Sequence, residues 1–99
     1  MNLRIRPSAL ADLADGRAFY EKQETGLGSY FLDSLFADID SLALYARIHR
    51  RVFGAHRLLG RTFPFAIYYD VISDTAHVKA VLDCRRDPKS IRARLRDVR

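Results

Sequence analysis

The clearest hydrophobic pattern in the chain lies between residues 63 and 88, with the sequence FPFAIYYDVISDTAHVKAVLDCRRDP. Apolar and polar side chains alternate along both halves of this segment, which are joined by the short polar sequence SDT. Alternation of period two around such a turn predicts a β-hairpin. Pairing Ile72 with Thr75 gives the hairpin one apolar face. The same register places Tyr68 opposite Lys79 on the other face, which is predicted to be polar.

Two amphipathic helices are predicted in the first half of the chain. The first covers about residues 8–24 with Ser8 as its candidate N-cap, and the glycine-containing sequence TGLGS ends it. The second covers about residues 29–46, where apolar side chains recur at i, i+3, i+4 and i+7. That apolar stripe consists of Leu32, Leu35, Phe36, Ile39, Leu42, Ala43 and Ala46. The two helices are predicted to form a hairpin that needs an apolar surface to cover.

Short strands are predicted on either side of the helices. Residues 2–6 alternate apolar and polar side chains and are followed by Pro7, which is typical of an edge strand. Residues 51–53 are compatible with an extended segment, and residues 55–61 are predicted to form a further strand. The element order β-α-α-β-β-β predicts an α+β fold, in which the helical hairpin packs on one face of a small antiparallel sheet.

A short helix is predicted at the C-terminal end of the chain. Asp87 is a candidate N-cap, and Pro88 follows at the first helical position. Ile91, Leu95 and Val98 have helical spacing, but a helix of ~11 residues is too short to be stable in isolation. This helix must therefore dock on the rest of the domain or on a partner.

Length and composition bound the class of protein. Ninety-nine residues with 48% hydrophobic content fit a single domain spanning residues 1–99. No segment reaches the ~18 apolar residues of a membrane span, and the N-terminus lacks the apolar stretch of a secretory signal, so we expect a cytoplasmic protein. The only cysteine is Cys84, and the three histidines have no metal-ligand spacing. We expect no metal and no other cofactor.

Charge is distributed unevenly along the chain. Residues 8–46 carry seven acidic and two basic side chains, a net charge of −5. Residues 47–69 carry five arginines and no acid, and residues 85–99 carry seven basic and two acidic side chains, so each of these segments has a net charge of +5. A basic surface of this kind favours nucleic acid or an acidic protein as a partner, although a charged segment can also be a plain solvated surface.

Arginines are the strongest candidates for a functional site. Arg85 and Arg86 leave the end of the hairpin together, and Arg57 and Arg61 lie on a predicted strand. If these arginines converge with Tyr68 and Lys79, they form a surface suited to phosphate, because guanidinium groups match phosphate oxygens in bidentate fashion. A competing interpretation is that Arg85 pairs with Asp83 or Asp87 and only tethers the tail.

The ordered combination of these segments resembles the RelE/ParE family of bacterial toxins. The resemblance rests on the TGLGSYFLDSL junction, the HRLLGRTFPFAIYYDV strand pair and the AVLDCRRDP exit, and it covers nearly the whole chain. It implies the toxin of a type II toxin–antitoxin module, bound by a cognate antitoxin. Members of the RelE type cut messenger RNA on the ribosome, and members of the ParE type act on DNA gyrase.

The resemblance is closer to the ParE type. Arg57 and Arg61 match the strand arginines of RelE-type toxins, but no tyrosine or histidine follows Asp83, where those toxins carry their proton-transfer group. Asp83 stands where many relatives have a histidine and is the only candidate substitute. The expected target-contacting residues are Arg57, Arg61, Tyr68, Lys79, Asp83, Arg85 and Arg86, and the expected antitoxin-binding residues are Ile91, Leu95 and Val98.

Three other functions remain open from the sequence. One is a RelE-like, metal-independent endoribonuclease that acts on ribosome-bound messenger RNA. Another is an inactive toxin. The last is a basic nucleic-acid-binding module that is not an enzyme, although the chain has no helix-turn-helix or RNP-type motif.

Overall fold

The structure is a computed structural model that describes residues 1–97. A five-stranded sheet in the order β1-β5-β4-β3-β2 is covered by helices on both faces. The elements are β1 (Asn2–Ile5), α1 (Pro7–Gln23), α2 (Leu27–Asp40), α3 (Leu42–Tyr45), a 3-10 turn (Ala46–Ile48), β2 (Arg51–Val52), β3 (Ala55–Leu59), β4 (Phe65–Ile72), β5 (Thr75–Asp83) and α4 (Pro88–Asp97). The predicted α+β class, the helical hairpin and the short C-terminal helix are confirmed.

The sheet differs from the prediction in two respects. It is mixed, because β1 runs parallel to β5 while all other pairs are antiparallel. Residues 51–52 also form a strand of their own, so β2 and β3 make a tight second hairpin. The turn between them consists of Phe53 and Gly54, both with positive φ (57° and 81°), as two-residue hairpin turns require.

The predicted β4–β5 hairpin is present, but its register changes half way along. Ile72 pairs with Thr75 and Tyr69 with Val78, as the alternation predicts. Beyond this point an irregularity inserts one extra residue in β5, so that Tyr68 lies opposite Ala80 and not opposite Lys79. The predicted Tyr68–Lys79 pairing is therefore wrong. A β-bulge shifts every later residue to the opposite face of the sheet.

Both faces of the hairpin are buried, because helices cover the sheet on both sides. We call the side covered by α1 and α2 the helical-hairpin face. Its core includes an aromatic cluster in which Phe31 contacts the rings of Tyr20, Phe63 and Phe65 at centroid distances of 5.0–5.2 Å. Gly16 of α1 is required here, because a Cβ at this position would lie 2.5 Å from the Phe31 ring. This face holds the larger core.

The opposite side of the sheet is covered by α4, and we call it the α4 face. Ile91 and Leu95 of α4 are buried against a smaller set of strand side chains. That set consists of Ala55, Ala66, Tyr68, Ala80 and Leu82. The predicted N-cap of α4 is confirmed, since the Lys89 amide donates to Asp87 Oδ1 at 2.9 Å. The C-terminal helix thus docks on its own domain.

β1 pairs with only the first half of β5. Along the second half, side chains of α1 form hydrogen bonds with the backbone of β5. Ser8 Oγ donates to the Lys79 carbonyl at 2.8 Å, and the Val81 amide donates to Asp12 Oδ2 at 3.0 Å. Arg94 of α4 donates to the same Asp12 oxygen at 2.8 Å. The prediction of Ser8 as N-cap is wrong, because Arg6 holds that position and Ser8 lies inside the helix. Asp12 connects α1, β5 and α4.

The second predicted helix is also divided. Regular α2 ends at Asp40, and Ser41 separates it from the four-residue α3. Leu35, Ile39, Leu42 and Ala46 of the predicted stripe are buried, so the periodicity correctly located the inward face. Phe36 is 37% exposed and does not belong to the core.

Candidate functional site

The basic exit, Arg85 and Arg86, follows directly after β5. The chain turns there because the Cys84 amide donates to the Pro64 carbonyl and the Arg86 amide donates to the Asp83 carbonyl. Both arginine residues are exposed. Arg61 is exposed as well, whereas Arg57 is half-buried and the Lys79 side chain is only 14% exposed.

Arg85 forms a bidentate pair with Asp83. Its Nε donates to Oδ1 at 2.9 Å and its Nη2 donates to Oδ2 at 2.6 Å, while the Arg85 backbone amide donates to Oδ1 at 2.8 Å. The hydrogen bond from the Arg85 side chain holds the pKa of Asp83 below its usual value. The same pair raises the pKa of the Arg85 guanidinium. The carboxylate that was the candidate substitute base is thus a weaker base than a free aspartate.

Arg86 lies at the start of α4 and borders a small cleft. Its Nη2 donates to Ser90 Oγ at 2.8 Å. The cleft, of about 230 Å³, opens between α1 and the ends of β4 and β5, and its lining includes Phe19, Phe65 and Asp83. A target that contacts Arg86 therefore meets apolar aromatic surface directly beside the charge.

Tyr68 does not lie on an open polar face as predicted. Its side chain is only 1% exposed, because α4 covers the face of the sheet on which Tyr68 lies, and the ring packs in the core of the α4 face. Burial raises the pKa of Tyr68, and a hydrogen bond with the Arg57 side chain partly offsets that rise. A buried phenol with a raised pKa cannot contact a macromolecular target in this conformation.

Lys79 is also less available than the sequence suggested. Its Nζ forms an ion pair with Asp70 Oδ2 at 3.2 Å, and the lysine side chain is only 14% exposed. The amine is therefore largely neutralised within the sheet. Its placement at the bulge, and not opposite Tyr68, accounts for the difference from the prediction.

The two strand arginines do not converge. Arg57 lies opposite Tyr68 and contacts it on the α4 face. Arg61 follows the end of β3, and its backbone amide donates to Asp38 Oδ2 of α2 at 3.2 Å. Arg61 does not share a surface with the basic exit, because β3 ends at Leu59 and the loop turns towards the helices. Arg57 lies close enough to Cys84, the residue before Arg85, for its charge to lower the pKa of that thiol, against the larger rise caused by burial.

Asp38 is the buried acid that holds this loop. It is 5% exposed, and its burial raises the pKa of its carboxyl group. The Arg61 amide is the donor that compensates for part of this burial.

The expected antitoxin-binding residues are only partly described. Ile91 and Leu95 are 4% and 6% exposed, because they pack on the sheet of their own domain. They are therefore not free to contact a partner in this conformation, which corrects the prediction. Val98 lies outside the described residues.

A histidine–tyrosine cluster was not predicted from the sequence. Tyr69 donates its hydroxyl proton to the Ala46 carbonyl at 2.5 Å and contacts His49 Nδ1 at 2.8 Å. His56 stacks on the Tyr69 ring at 5.2 Å. Burial raises the pKa of Tyr69 to about 12, and desolvation together with His56 lowers the pKa of His49. Because the Tyr69 proton is already donated, His49 Nδ1 must be the donor. The cluster fastens the 3-10 turn to the sheet.

Within residues 1–97, no group of three or more histidine, cysteine or acidic side chains is arranged to hold a metal ion. None of the helices described for this part of the chain is long and apolar enough to cross a membrane.

Comparison with known proteins identifies the fold. No protein-family model matches the chain, and no curated protein sequence matches it significantly. Among solved structures, a chain from the chromosomal ParDE TA (toxin–antitoxin) system of P. aeruginosa is similar, with a TM-score of 0.73 and 18% sequence identity. The match covers 84% of this chain and 95% of the other. The resemblance predicted from the sequence is thus confirmed at the level of the fold.

Proposed function

We propose that this protein is the toxin of a type II toxin–antitoxin module, that it is ParE-like, and that it arrests growth by impairing DNA gyrase. The observation that carries the proposal is the shared fold with a chain of a ParDE system over 84% of the sequence. At 18% identity the target does not follow from this similarity alone. The geometry of the candidate site supplies the second line of support.

Among residues 1–97, the candidate site presents no accessible proton-transfer group with the pKa that RNA cleavage needs. A general base must be within hydrogen-bond reach of the proton it takes and must have a suitable pKa. Tyr68 is buried, and Asp83 is engaged by Arg85, which lowers its pKa. Loss of a positioned base typically reduces rates by ~10²- to 10⁴-fold. These features favour a toxin that binds its target over one that cuts RNA.

The basic exit is the proposed target-contacting surface. Arg85 and Arg86 are exposed, while the candidates Lys79 and Tyr68 are not. Arg57 supports the buried Tyr68, and Arg61 lies on a separate loop, so both have supporting roles in this proposal. The exposed Phe19 beside Arg86 adds apolar contact area.

A cognate antitoxin is the proposed regulatory partner. The arginine-rich segments leave an excess of positive charge that an acidic segment of a partner complements. Such charge pairs accelerate association and weaken as the salt concentration rises, whereas apolar contacts set the dissociation rate. Co-purification from cells that express both genes is the test. Recovery of harmless free protein from cells without the partner would argue against a toxin.

The target is tested by two assays with the purified protein. Supercoiling by DNA gyrase should be inhibited, and primer extension on ribosomes programmed with a defined A-site codon should show intact message. Codon-specific cleavage that is lost in Asp83→Asn would overturn the proposal and favour the RelE-like endoribonuclease. If neither assay responds, the protein is an inactive toxin or a nucleic-acid-binding module.

The contribution of the basic exit is tested with Arg85→Ala/Arg86→Ala. Growth arrest should be lost, while the thermal midpoint stays within ~2 °C of the wild type, because exposed substitutions normally affect stability little. Arg17→Ala/Lys22→Ala removes the same charge from the exposed surface of α1 and is the matched control. A fully toxic Arg85→Ala/Arg86→Ala variant would place the target surface elsewhere.

A further inference from the structure

A second cleft lies between α2 and the loop that follows β3. It has a volume of about 440 Å³, and its lining includes Tyr30, Ser34, Asp38, Ser41, Arg61 and Thr62. The small cleft beside the basic exit is lined by other residues. The two clefts are therefore separate sites, and we call this one the α2 cleft.

Asp38 is the buried carboxylate of the α2 cleft. It lines the cleft although it is only 5% exposed. The Arg61 amide donates to Asp38 Oδ2 at 3.2 Å, and within residues 1–97 this is the only hydrogen bond that the carboxylate receives. Burying a charged group with so few donors is costly, because a carboxylate can accept up to about four hydrogen bonds. Donors on a ligand would reduce that cost.

The backbone fixes the position of this carboxylate against the loop. The Gly60 amide donates to the Phe65 carbonyl at 2.7 Å and draws the loop against β4. A Cβ at Gly60 would lie 2.8 Å from the Phe63 carbonyl oxygen and 3.5 Å from Asp38 Oδ2. Only glycine therefore allows this close approach. The Asp38 side of the cleft is thus held by backbone contacts.

The other side chains of the cleft offer hydroxyl groups and an aromatic ring. Ser41 Oγ donates its proton to the Asp38 carbonyl at 2.6 Å, so its lone pairs are left as acceptors. Ser34 and Thr62 supply two more hydroxyl groups. Tyr30 is 55% exposed and packs edge-on against Phe63, with 5.5 Å between the ring centroids. An aromatic ring of this kind attracts cations to its face.

The charge around the cleft also favours a cation. The helix α2 carries Asp33, Asp38 and Asp40 but no basic side chain, and no lysine or arginine occurs between residues 27 and 46. Arg61 is the basic residue of the cleft, but among residues 1–97 its guanidinium forms no ion pair with Asp38. Burial raises the pKa of Asp38, and the charge of Arg61 offsets that rise only in part. Arg61 therefore does not neutralise the buried carboxylate.

From this arrangement we infer that the α2 cleft binds a primary ammonium group. An ammonium group has three N–H donors in different directions, which suit one carboxylate oxygen together with hydroxyl oxygens. A guanidinium fork prefers both oxygens of one carboxylate, whereas Asp38 Oδ2 already accepts the Arg61 amide. The ammonium group is supplied either by a lysine side chain of a partner protein or by a free amine.

The binding test uses the purified full-length protein, labelled with ¹³C and ¹⁵N and titrated with n-propylammonium at constant ionic strength. The side-chain carboxyl signal of Asp38 and the amide signal of Arg61 should shift together, because a hydrogen bond joins the two groups. The control probe, n-propyltrimethylammonium, has the same charge but no N–H donor, and should bind at least ~10-fold more weakly. Unmoved signals or equal binding of the two probes would overturn the inference.

Matched variants show whether Asp38 holds the ammonium group. Asp38→Asn keeps the shape of the side chain and should weaken n-propylammonium binding at least ~10-fold, because a charge-assisted hydrogen bond is lost. Asp33→Asn removes the same charge from an exposed position of α2 and should change the affinity less than ~2-fold. If Asp38→Asn does not fold, Ser34→Ala serves in its place and should weaken binding at least ~3-fold. An unchanged affinity in the cleft variant would contradict the assignment.

Two further probes distinguish the sources of the ammonium group. Tighter binding of Nα-acetyl-lysine-methylamide than of spermidine identifies a lysine side chain of a partner, and the reverse order identifies a free polyamine. Tighter binding of n-propylguanidinium than of n-propylammonium would overturn the choice of an ammonium group. The inference does not depend on the toxin proposal, because Arg85→Ala/Arg86→Ala should leave n-propylammonium binding unchanged.

Discussion

The two faces of the sheet are built from the same strands but are stabilised differently. On the helical-hairpin face, long helices cover a core rich in aromatic and branched side chains, including Phe31 and Leu35. On the α4 face, a ten-residue helix covers a smaller cluster that contains three alanines. Because small side chains bury little apolar area, α4 depends more on polar anchors. The helical hairpin is held mainly by the burial of large side chains, together with the hydrogen bonds from α1 to β5, whereas α4 relies more on specific contacts.

Those anchors lie on both sides of α4. Arg94 binds Asp12 and the Ser8 carbonyl of α1, with Nη2 at 2.8 and 3.2 Å. Arg92 places its guanidinium 5.2 Å from the Phe53 ring in the β2–β3 turn. Arginine side chains that the charge pattern assigned to a basic tail thus hold α4 on the sheet. Net charge in a sequence does not separate ligand-binding cations from structural ones.

The largest expected effect comes from paired leucine truncations that compare the two cores. Leu35→Ala should destabilise the protein by ~3–5 kcal/mol, since Leu35 is fully buried among large neighbours. Leu95→Ala should cost only ~2 kcal/mol, near the lower end for buried leucines, because its surroundings are small and α4 can adjust. Urea unfolding of both variants measures the difference. Equal losses of unfolding free energy would mean that the cores on the two faces contribute equally to stability.

A smaller effect is expected from the anchor of α4. Asp12→Ala removes the acceptor for the Val81 amide and Arg94, and should destabilise the protein by ~1.5–3 kcal/mol. Hydrogen exchange of the backbone amides should accelerate much more in α4 than in α2. Asp15→Ala, one turn along α1 at an exposed position, is the control and should leave both rates unchanged. Uniform acceleration throughout the domain would contradict a local anchor.

The smallest effect concerns the pH dependence at the basic exit. Because the pKa of Asp83 is lowered by Arg85, the pair stabilises the folded state above the ordinary carboxyl pKa. This stabilisation is lost as the pH falls through the lowered pKa of Asp83. The thermal midpoints of the wild type and Asp83→Asn should therefore differ slightly at pH 7 and converge once the pH lies below the lowered pKa of Asp83. A difference that persists at the lower pH would contradict this assignment.

The sequence predicted most of the helices and strands, but it did not predict how the residues of the candidate site are arranged. Periodicity located the helices and the β4–β5 turn because both depend on local spacing. The bulge at Lys79 involves one additional residue with no distinctive sequence signal, and it reverses the face of Ala80 and Leu82. The polar face that was predicted for the β4–β5 hairpin therefore does not form.

Contacts near the basic exit could be predicted only where the two residues are close in sequence. The sequence predicts the Asp83–Arg85 pair as a competing interpretation, because the two residues are only two positions apart. The separation of Arg57 from Arg61, and the cluster around Tyr69, depend on where loops turn. Contacts between residues 20 or more positions apart, such as His49 with Tyr69, leave no pattern in a single sequence.

The parallel pairing of β1 with β5 has a consequence for how the chain matures. Leu3 pairs with Ala76, 73 residues later, so the first strand to be synthesised has no partner until β5 has left the ribosome. Contacts of such long sequence separation slow folding. We therefore expect nascent chains stalled before residue 76 to remain sensitive to protease in their N-terminal strand, and chains that expose residue 83 to become resistant. A protein assembled in this order acquires its finished sheet only after β5 has been synthesised.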